Sequence, residues 1–317
     1  MTPETDQTRA GFVAVIGAPN AGKSTLVNRL VGQKVAIVTQ KVQTTRFPVR
    51  GIAMHNDAQI VLLDTPGIFN TKRRLDRAMV KAALAGAEDA DVILHVIDAT
   101  GWVAEILKRP LTGAQKKSMD DDRRVMEDLK TLGRKGILAL NKIDEFDHLE
   151  ILPVIQKLNE EGIYSEIFPI SAANGDGTAS LLDHLASLVP ESPYLYDPEQ
   201  TADLPMRLLA SEVTREKLML RLHQELPYQL MVDTETWEER KDGSVKIQQA
   251  VIIGRENHKS MVLGKGGQTI KEIGKRAREE LEGMLDRKVH LFLFVKVDER
   301  WMEKRDFYTP LGLDFDV

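Results

Sequence analysis

The sequence predicts two domains, an α/β domain with a mostly parallel sheet and then a smaller α+β domain. Three observations lead to this prediction. From residue 11 to about residue 190, apolar runs of strand length alternate with segments of helix length, as in a parallel sheet covered by helices. Between residues 190 and 205, four prolines stand among Asp, Glu and Ser, which is typical of a linker. After residue 205 the predicted order changes to helix, two strands, two helices and a final strand.

Apolar runs predict the strands of the first domain at residues 12–16, 59–64, 91–98, 136–140 and 164–170. Val, Ile and Leu dominate several of these runs, as expected for strands that are covered on both faces. The pattern at residues 50–55 predicts one more strand, and the sequence leaves open whether it lies at the edge of the sheet. In the second domain we predict helices at residues 206–224, 259–263 and 268–285, and strands at residues 228–238, 245–254 and 288–297.

These elements define the predicted boundaries. We expect a mobile tail over residues 1–10, the first domain over 11–190, a linker over 191–205, the second domain over 206–305 and a C-terminal tail over 306–317. A long surface loop of one domain is the alternative to the linker. Residues 102–120 are neither clearly helical nor strand-like, and Pro110 and Gly113 interrupt them. We interpret this segment as a surface insertion, with a partner-binding loop as the alternative.

The composition excludes several classes of protein. The chain of 317 residues has no Cys, which excludes a disulfide framework, a Cys-ligated zinc site and a cysteine nucleophile. No apolar run in the sequence approaches the roughly 18 residues of a membrane helix. Residues 1–10 lack the basic and apolar regions of a signal peptide. The net charge of −5 argues against a diffuse basic coat that binds nucleic acid.

A phosphate-binding motif follows the first predicted strand and opens a helix. The pattern is G-x-x-x-x-G-K-S, in the strand–loop–helix context that it requires. Backbone N–H groups of such a loop surround phosphates, and the helix N-terminus adds positive potential. Lys23 would contact the β- and γ-phosphates and Ser24 would bind Mg²⁺. The predicted phosphate-binding residues are Gly17, Ala18, Pro19, Asn20, Ala21, Gly22, Lys23, Ser24 and Thr25.

Three further motifs stand at the carboxyl ends of later strands. The first is Asp64-Thr65-Pro66-Gly67, where Asp64 can hold Mg²⁺ through a water and Gly67 can donate its N–H to the γ-phosphate. The second is Asn141-Lys142-Ile143-Asp144, and the third is Ser171-Ala172-Ala173. Because the carboxyl ends of parallel strands meet at one crevice, we expect all four motifs to converge there.

The second and third of these motifs predict a site for guanine. Asp144 can accept hydrogen bonds from the ring N–H and the exocyclic amine of guanine, a donor pair that adenine lacks. Asn141 would contact the purine and brace the phosphate loop, and the Lys142 stem would lie over the base. The Ala172 N–H would meet guanine O6.

In this order the four motifs resemble those of the translation-factor-like GTPases, so the first domain is identified as a P-loop GTPase domain. The resemblance implies guanine specificity and a first switch at residues 43–46. By its Thr-Arg pattern Thr45 is the expected second Mg²⁺ hydroxyl, with Thr44 as the alternative. The predicted Mg²⁺ ligands are Ser24, Thr45 and Asp64, and the predicted catalytic residues are Lys23, Thr45, Gly67 and Asn20.

Hydrolysis by this domain requires an explanation, because Ras-like enzymes orient the attacking water with a Gln that follows D-x-x-G. Here Ile68 follows Gly67, and an aliphatic side chain cannot polarise water. GTPases that resemble this one use the Asn of the phosphate loop with switch backbone carbonyls to bind K⁺. We therefore expect K⁺ stimulation through Asn20; the alternative is an Asn that only braces the loop. Arg46 is a further candidate, whose direction the sequence leaves open.

The second domain contains a G-x-x-G loop between two predicted helices. The order helix–strand–strand–helix–helix–strand resembles the type II KH domain, which binds about four unpaired bases. Residues 254–276 carry six Lys or Arg and two Glu, a local charge of +4. Ile252, Ile270 and Ile273 are the expected apolar floor of the groove. The predicted RNA-binding residues are Arg255, Lys259, Gly264, Lys265, Gly266, Gly267, Lys271, Ile252 and Ile270.

A GTPase domain of this type followed by a KH domain resembles the Era family of bacterial ribosome-assembly GTPases, over roughly residues 11–305. The resemblance implies binding of GTP and GDP, contact with the 3′ end of 16S ribosomal RNA, and assembly of the 30S subunit. It also implies a cytoplasmic protein with peripheral contact to the inner membrane, and we expect a monomer. The alternatives are another tRNA- or ribosome-associated GTPase with a different RNA target, and an RNA-binding protein with a vestigial GTPase domain.

Overall fold

The computed structural model describes residues 8–69 and 73–317. Residues 1–7 of the predicted N-terminal tail lie outside the described residues. The chain divides into two compact units. Unit 1 holds the residues up to Ala36, then Thr45–Asp203 and Leu311–Val317, and unit 2 holds Ile37–Thr44 and Leu204–Pro310.

Unit 1 is built around one twisted sheet. Its strands are β1 (Arg9–Ile16), β2 (Val49–His55), β3 (Ala58–Asp64), β4 (Val92–Asp98), β5 (Gly136–Asn141), β6 (Tyr164–Pro169) and β7 (Ala202–Asp203). They lie in the order β6-β5-β4-β1-β3-β2-β7. Neighbouring strands are parallel from β6 to β3, whereas β2 runs antiparallel to both β3 and β7. Since β7 spans only two residues, β2 is nearly an edge strand.

Helices cover both faces of this sheet, which explains the apolar strands. They are α1 (Lys23–Val31), α2 (Arg74–Asp89), α3 (Ala99–Ile106), α4 (Gly113–Leu132), α5 (His148–Glu160) and α6 (Thr178–Leu188). Buried side chains of α1 and α6 form one core with the sheet, and those of α2, α3, α4 and α5 form another. The predicted α/β class of the first domain is confirmed.

Unit 2 is a smaller α+β domain. Its helices are α7 (Met206–Arg221), α8 (Glu256–Leu263) and α9 (Gln268–Leu285), and its strands are β8 (Leu230–Glu239), β9 (Val245–Ile253) and β10 (Val289–Val297). The sheet order is β10-β9-β8, with β10 parallel and β8 antiparallel to β9. Apolar side chains of all three helices pack against one face of the sheet. This is the predicted type II KH order.

The segment 102–120 differs from our prediction. It is not an irregular surface insertion, since most of it lies in α3 and α4. Trp102 and Met119 are 3% and 1% exposed and pack in the core of unit 1. These helices could not be predicted from the sequence of the segment, because most of its residues are polar and only a few apolar positions face the core. Thr112 caps α4 by accepting the Gln115 N–H at 3.2 Å.

The predicted tails and linker also differ from the structure. Strand β1 already begins at Arg9, inside the predicted N-terminal tail. Part of the predicted linker belongs to unit 1, because β7 pairs with β2 and the Gln59 side chain accepts the N–H groups of Leu195 and Tyr196. The end of the predicted C-terminal tail also packs in unit 1, where Asp314 lies 2.7 Å from Lys81 of α2. Within residues 8–69 and 73–317, none of the helices has the length and apolar character needed to span a bilayer.

Candidate nucleotide site and nucleic-acid interface

The four predicted nucleotide motifs follow β1, β3, β5 and β6 and meet at the carboxyl end of the sheet. Asn141, the last residue of β5, connects two of them. Its amide Nδ2 donates to the Ala21 carbonyl at 2.8 Å, and its Oδ1 accepts the Ala172 N–H at 2.9 Å. Thr65 connects a third, because its hydroxyl donates to the Val15 carbonyl of β1 at 2.8 Å. The structure therefore brings the separate motifs together at one end of the sheet.

The conformation of the phosphate loop, residues 17–24, explains one of its glycines. Gly22 has φ +102°, and a Cβ added there would lie 2.1 Å from Asn141 Nδ2. Any other residue would break the contact that joins the loop to β5. Helix α1 begins immediately afterwards at Lys23. The first N–H groups of α1 lack intrahelical partners and are suited to bind an anion.

Lys23 is held inside the loop and is 6% exposed. Its Nζ donates to the carbonyls of Gly17 at 3.0 Å and Ala18 at 2.9 Å. Burial lowers the pKa of Lys23 to about 8, and the neighbouring charge of Asp64 opposes this shift. A triphosphate brought to the loop would stabilise the charged form, since opposite charges attract strongly in a site of low polarity.

The three predicted Mg²⁺ ligands lie together. The Ser24 hydroxyl donates to Asp64 Oδ2 at 2.6 Å and lies 2.9 Å from Thr45 Oγ1, which is itself 3.3 Å from Asp64 Oδ2. Asp64 is fully buried, burial raises its pKa to about 6, and among the described residues its Oδ1 has no hydrogen-bond partner. Two hydroxyls and a carboxylate with an unsatisfied oxygen fit the hard oxygen ligands that Mg²⁺ prefers.

The alternative ligand Thr44 has its hydroxyl engaged elsewhere. It lies 2.7 Å from Thr39 Oγ1 and donates to the Lys41 carbonyl at 2.7 Å. Both contacts lie in the segment Ile37–Thr44 of unit 2. This geometry favours Thr45 over Thr44.

The predicted base site differs from our expectation at Ala172, and the structure adds the exposure of Asp144. The Ala172 N–H, expected to meet guanine O6, is donated to Asn141 Oδ1 instead. It is used there because β6 ends beside β5 and the Asn side chain bridges the two strand ends. Asp144 is exposed, in a 3-10 turn that follows Lys142, whose φ is +67°. Its carboxylate is therefore accessible to a base.

One acidic neighbour of this site is not among the predicted residues. Asp98 ends β4 at the same edge of the sheet and lies 2.5 Å from the Lys142 ammonium. It also caps α3 by accepting the Thr100 N–H at 2.9 Å. The signal was present, because an acidic residue at the end of a core strand follows the pattern of Asp64.

The residues considered for hydrolysis lie in different environments. Ile68 is 4% exposed and packs in the core, so its side chain is turned away from water. Arg46 is also buried, at 4% exposure. Asn20 is exposed in the phosphate loop with φ +64°.

The G-x-x-G loop of unit 2, residues 264–267, forms a tight corner between α8 and α9. Gly264 ends α8 with φ +71°, and a Cβ added there would lie 2.1 Å from Thr269 Oγ1. Gly266 and Gly267 have φ +59° and +78°. The loop therefore brings two helices close together and leaves its own backbone accessible.

Basic side chains surround this loop. Arg255, Lys265 and Lys271 are exposed, and no ion pair involves them within the described part of the chain. Lys259 lies 3.5 Å from Glu256 on the same helix. The unpaired charges are available to phosphates.

The predicted apolar floor is only partly brought together. Ile273 lies in the core of unit 2, and Ile270 packs against that core. Val251 and Ile253 belong to the same core, so Ile252 points to the opposite face of the sheet, because side chains alternate along a strand. Ile252 is 6% exposed there and pairs with Met231 of β8. We correct the expectation that Ile252 shares a floor with Ile270.

Comparisons with known proteins agree with this architecture. Residues 12–142 match the family model described as 50S ribosome-binding GTPase, and residues 225–302 match the KH domain model. The GTPase Era of Caulobacter vibrioides is 56% identical over 317 residues, which cover all of both chains. The chain belongs to the Era family. The GTPase Era of Maricaulis maris is 54% identical to this Era-family chain over 309 residues, 98% of each.

Solved Era structures have the same two-domain fold. An Era variant of Aquifex aeolicus bound to GDP·AlF4⁻ matches with a TM-score of 0.86 and 38% identity, over 96% of this chain and 99% of that one. An Era in complex with MgGDPNP and nucleotides 1506–1542 of 16S ribosomal RNA matches with the same TM-score, identity and coverage. The protein described here is accordingly a GTPase of the Era family with a C-terminal KH domain, and Mg²⁺ dependence is general in that class.

Proposed function

We propose that this GTPase binds single-stranded 16S ribosomal RNA near its 3′ end through the KH domain and assists assembly of the small ribosomal subunit. The observation that carries the proposal is the accessible loop at residues 264–267 with unpaired cations around it. We infer the identity of the RNA from an Era of the same fold, which binds nucleotides 1506–1542 of 16S ribosomal RNA.

In the proposed nucleotide site, residues 17–25 bind the phosphates and residues 141–144 and 171–173 bind guanine. Lys23 stabilises charge on the β- and γ-phosphates, and the Gly67 N–H donates to the γ-phosphate. Ser24, Thr45 and Asp64 would hold Mg²⁺, which supplies positive charge to the phosphates when bound. Guanine is selected by the exposed carboxylate of Asp144.

We propose that nucleotide and RNA binding are coupled through the segment Ile37–Thr44. This segment belongs to unit 2 and directly precedes Thr45. Arg215 of α7, 1% exposed, donates to the Thr44 carbonyl, and Glu216 accepts the Val38 N–H at 2.8 Å. Because α7 also contributes to the core beneath the G-x-x-G loop, RNA bound there can bias the segment next to Thr45.

The RNA target is tested by fluorescence anisotropy with a labelled oligonucleotide of the 16S 3′-terminal sequence and a scrambled oligonucleotide of equal composition. We expect tighter binding of the 3′-terminal sequence. Equal affinities would contradict this target and would favour the alternative of a different RNA, which crosslinking to cellular RNA with sequencing would then identify.

Coupling is tested by repeating the titration with a non-hydrolysable GTP analogue and with GDP. Linkage requires that RNA change the affinity for each nucleotide by the same factor by which that nucleotide changes the affinity for RNA. If neither affinity changes, the two sites act independently and the coupling proposal is wrong.

The ribosomal subunit that this protein binds needs its own test, because the family model that matches residues 12–142 is described as a 50S ribosome-binding GTPase. The large subunit is therefore a second candidate partner. Co-sedimentation of the protein with purified 30S and 50S subunits in the presence of a GTP analogue decides between them. We expect binding to the 30S subunit, and binding to the 50S subunit alone would overturn that assignment.

We also propose that K⁺ stimulates hydrolysis through Asn20, whose amide oxygen is a suitable ligand beside the phosphates. The exposed position of Asn20 supports this role. Turnover in KCl should exceed turnover in NaCl at equal ionic strength, and Asn20→Ala should remove the difference. Equal turnover of the wild type in both salts would leave Asn20 as a brace of the loop.

A further inference from the structure

A group of buried titratable side chains lies beneath the phosphate loop and has no part in the hydrolysis chemistry described above. Asp122 of α4 and His95 of β4 are both 0% exposed, and Tyr164 of β6 is 5% exposed. A Cβ added to Gly17 of the loop would lie 3.5 Å from the His95 ring. Together with Trp102 of α3 we call these residues the Asp122 cluster.

Hydrogen bonds join the cluster but leave a gap in its middle. Tyr164 Oη lies 2.8 Å from His95 Nδ1, and Trp102 Nε1 donates to Asp122 Oδ2 at 3.2 Å. Among the described residues, His95 Nε2 and Asp122 Oδ1 have no hydrogen-bond partner. These two buried atoms lie 3.9 Å from each other, which is too far for a hydrogen bond. A buried polar atom without a partner is costly, and a buried charge that lacks partners is costlier still, so this environment favours a neutral Asp122.

The cluster can exist in two protonation states. With the Asp122 carboxyl protonated, the acid is neutral, and His95 Nδ1–H can donate to the Tyr164 oxygen. With Asp122 ionised, the carboxylate faces His95 Nε2–H, and the Tyr164 hydroxyl can donate to Nδ1. The second state has one proton fewer and places a negative charge under the phosphate loop.

Charged and polar groups of several elements face Asp122. Lys23 of α1 and the Ala18 N–H of the phosphate loop favour its ionised form, as does the Trp102 donor of α3. Asp98 of β4 disfavours it, and burial disfavours it most. The net effect raises the pKa of Asp122 to about 8, while burial lowers the pKa of His95 to about 3. Both shifts favour the protonated carboxyl beside a neutral imidazole near neutral pH.

We propose that Asp122, held by Trp102 beside His95, is a positioning residue beneath the phosphate loop, and that its protonated form is the one that accepts a nucleotide. The phosphates bring negative charge to the opposite side of the loop, and a second negative charge beneath it would repel them. Nucleotide binding therefore takes up a proton at the Asp122 cluster. The inference rests on nucleotide binding at residues 17–24.

The test is the affinity for a fluorescent N-methylanthraniloyl GDP in excess Mg²⁺, measured with the full chain from about pH 6.5 to pH 9.5, a window centred on the Asp122 pKa. Above the midpoint each proton taken up lowers affinity by at most about tenfold per pH unit. Lys23 also titrates in this pH range and changes the affinity for GDP, since burial lowers its pKa to about 8. The profile of each variant is therefore compared with that of the wild type. Asp122→Asn mimics the protonated acid, since its amide is neutral, has nearly the same shape, and its oxygen can still accept the Trp102 N–H.

Above the midpoint, the slope of log affinity against pH should be shallower for Asp122→Asn than for the wild type, by at most about one log unit per pH unit. One pH unit above the midpoint, the variant should therefore bind GDP about tenfold more tightly than the wild type. A substitution that only damages packing would not strengthen binding. Asp121→Asn is the matched control, because Asp121 is a neighbouring acid on α4 that is 3% exposed and pairs with Arg124. It should keep the wild-type profile.

A second variant keeps the proposal testable if Asp122→Asn folds poorly. Trp102→Phe retains the ring but removes the N–H donor that stabilises the carboxylate, so the midpoint of the wild-type profile should move to higher pH. Parallel profiles for the wild type and Asp122→Asn, or an unmoved midpoint for Trp102→Phe, would overturn the proposal. A wild-type protein that fails to bind GDP at every pH would instead contradict the nucleotide site itself.

Discussion

Lys23, Asp64 and Asn141 of the nucleotide site are at most 6% exposed, whereas Arg255, Lys265 and Lys271 around the G-x-x-G loop are exposed. The first group is fixed by hydrogen bonds between distant parts of the chain, such as the bond from Asn141 to Ala21. The second group is placed only by the local geometry of two helices and their glycines.

The difference determines how each site responds to substitution. In a buried site of low polarity a single charge acts strongly on several neighbours, and its removal leaves groups without partners. At an exposed loop, water and salt screen each charge, and the contributions of several cations are spread over the bound RNA. We therefore expect large specific effects in the nucleotide site and small salt-dependent effects at the loop.

The largest effect should follow Lys23→Ala. Loss of this buried charge removes stabilisation of the β- and γ-phosphates, and kcat/KM for GTP should fall about 10³-fold. Lys130→Ala is the matched control, since Lys130 is an exposed lysine of α4 paired with Glu161. Steady-state phosphate release measures kcat/KM for both variants. A decrease of less than tenfold for Lys23→Ala would contradict the expectation that buried charges of the nucleotide site have the larger effects.

The next largest effect should follow Asp144→Asn. The amide oxygen can still accept one guanine N–H, but the second acceptor becomes a donor and the charge is removed, so affinity for GTP should fall about 10²-fold. The new amide can donate to the C2 carbonyl of xanthine, and affinity for XTP should rise. Competition binding measures the preference, with Glu145→Gln at the adjacent exposed position as control. An unchanged preference would show that Asp144 does not read the base.

A smaller effect is expected for Arg215→Lys. A lysine cannot contact both the Thr44 carbonyl and Glu212, so the segment before Thr45 loses one charged hydrogen bond. GTP turnover should fall about tenfold and require more Mg²⁺. Arg221→Lys on the same helix changes an exposed arginine that pairs with Glu272, and it should behave as wild type. Equal turnover for both variants would separate the two sites completely.

The smallest effect should follow Lys265→Ala. Loss of one phosphate contact to single-stranded RNA lowers the slope of log affinity against log salt by about 0.7. Lys241→Ala removes the same charge from the exposed turn between β8 and β9 and should leave the slope unchanged. A change in slope for both variants, or for neither, would show that the loop is not where RNA neutralises charge.

The two domains, the order of their elements and the nucleotide motifs could be predicted from the amino-acid sequence. These depend on local spacing, since glycines, strand ends and apolar periodicity act over a few residues. The helix predicted over residues 268–285 coincides with α9, and the predicted strands fall close to the observed ones. The motif residues meet because the strands that carry them are parallel and end at the same edge of one sheet, with β4 between the pairs β6-β5 and β1-β3.

Contacts between distant segments could not be predicted and are visible only in the folded chain. The structure showed residues 102–120 as helices that place Trp102 beside Asp122, the segment Ile37–Thr44 against α7, and Leu311–Val317 in unit 1. It also placed Ile252 on the face of the sheet opposite to Ile270. No local pattern encodes these contacts, because each depends on how separate elements pack. The role of an acidic or basic side chain depends on its burial and on its neighbours, and both are set by the folded structure.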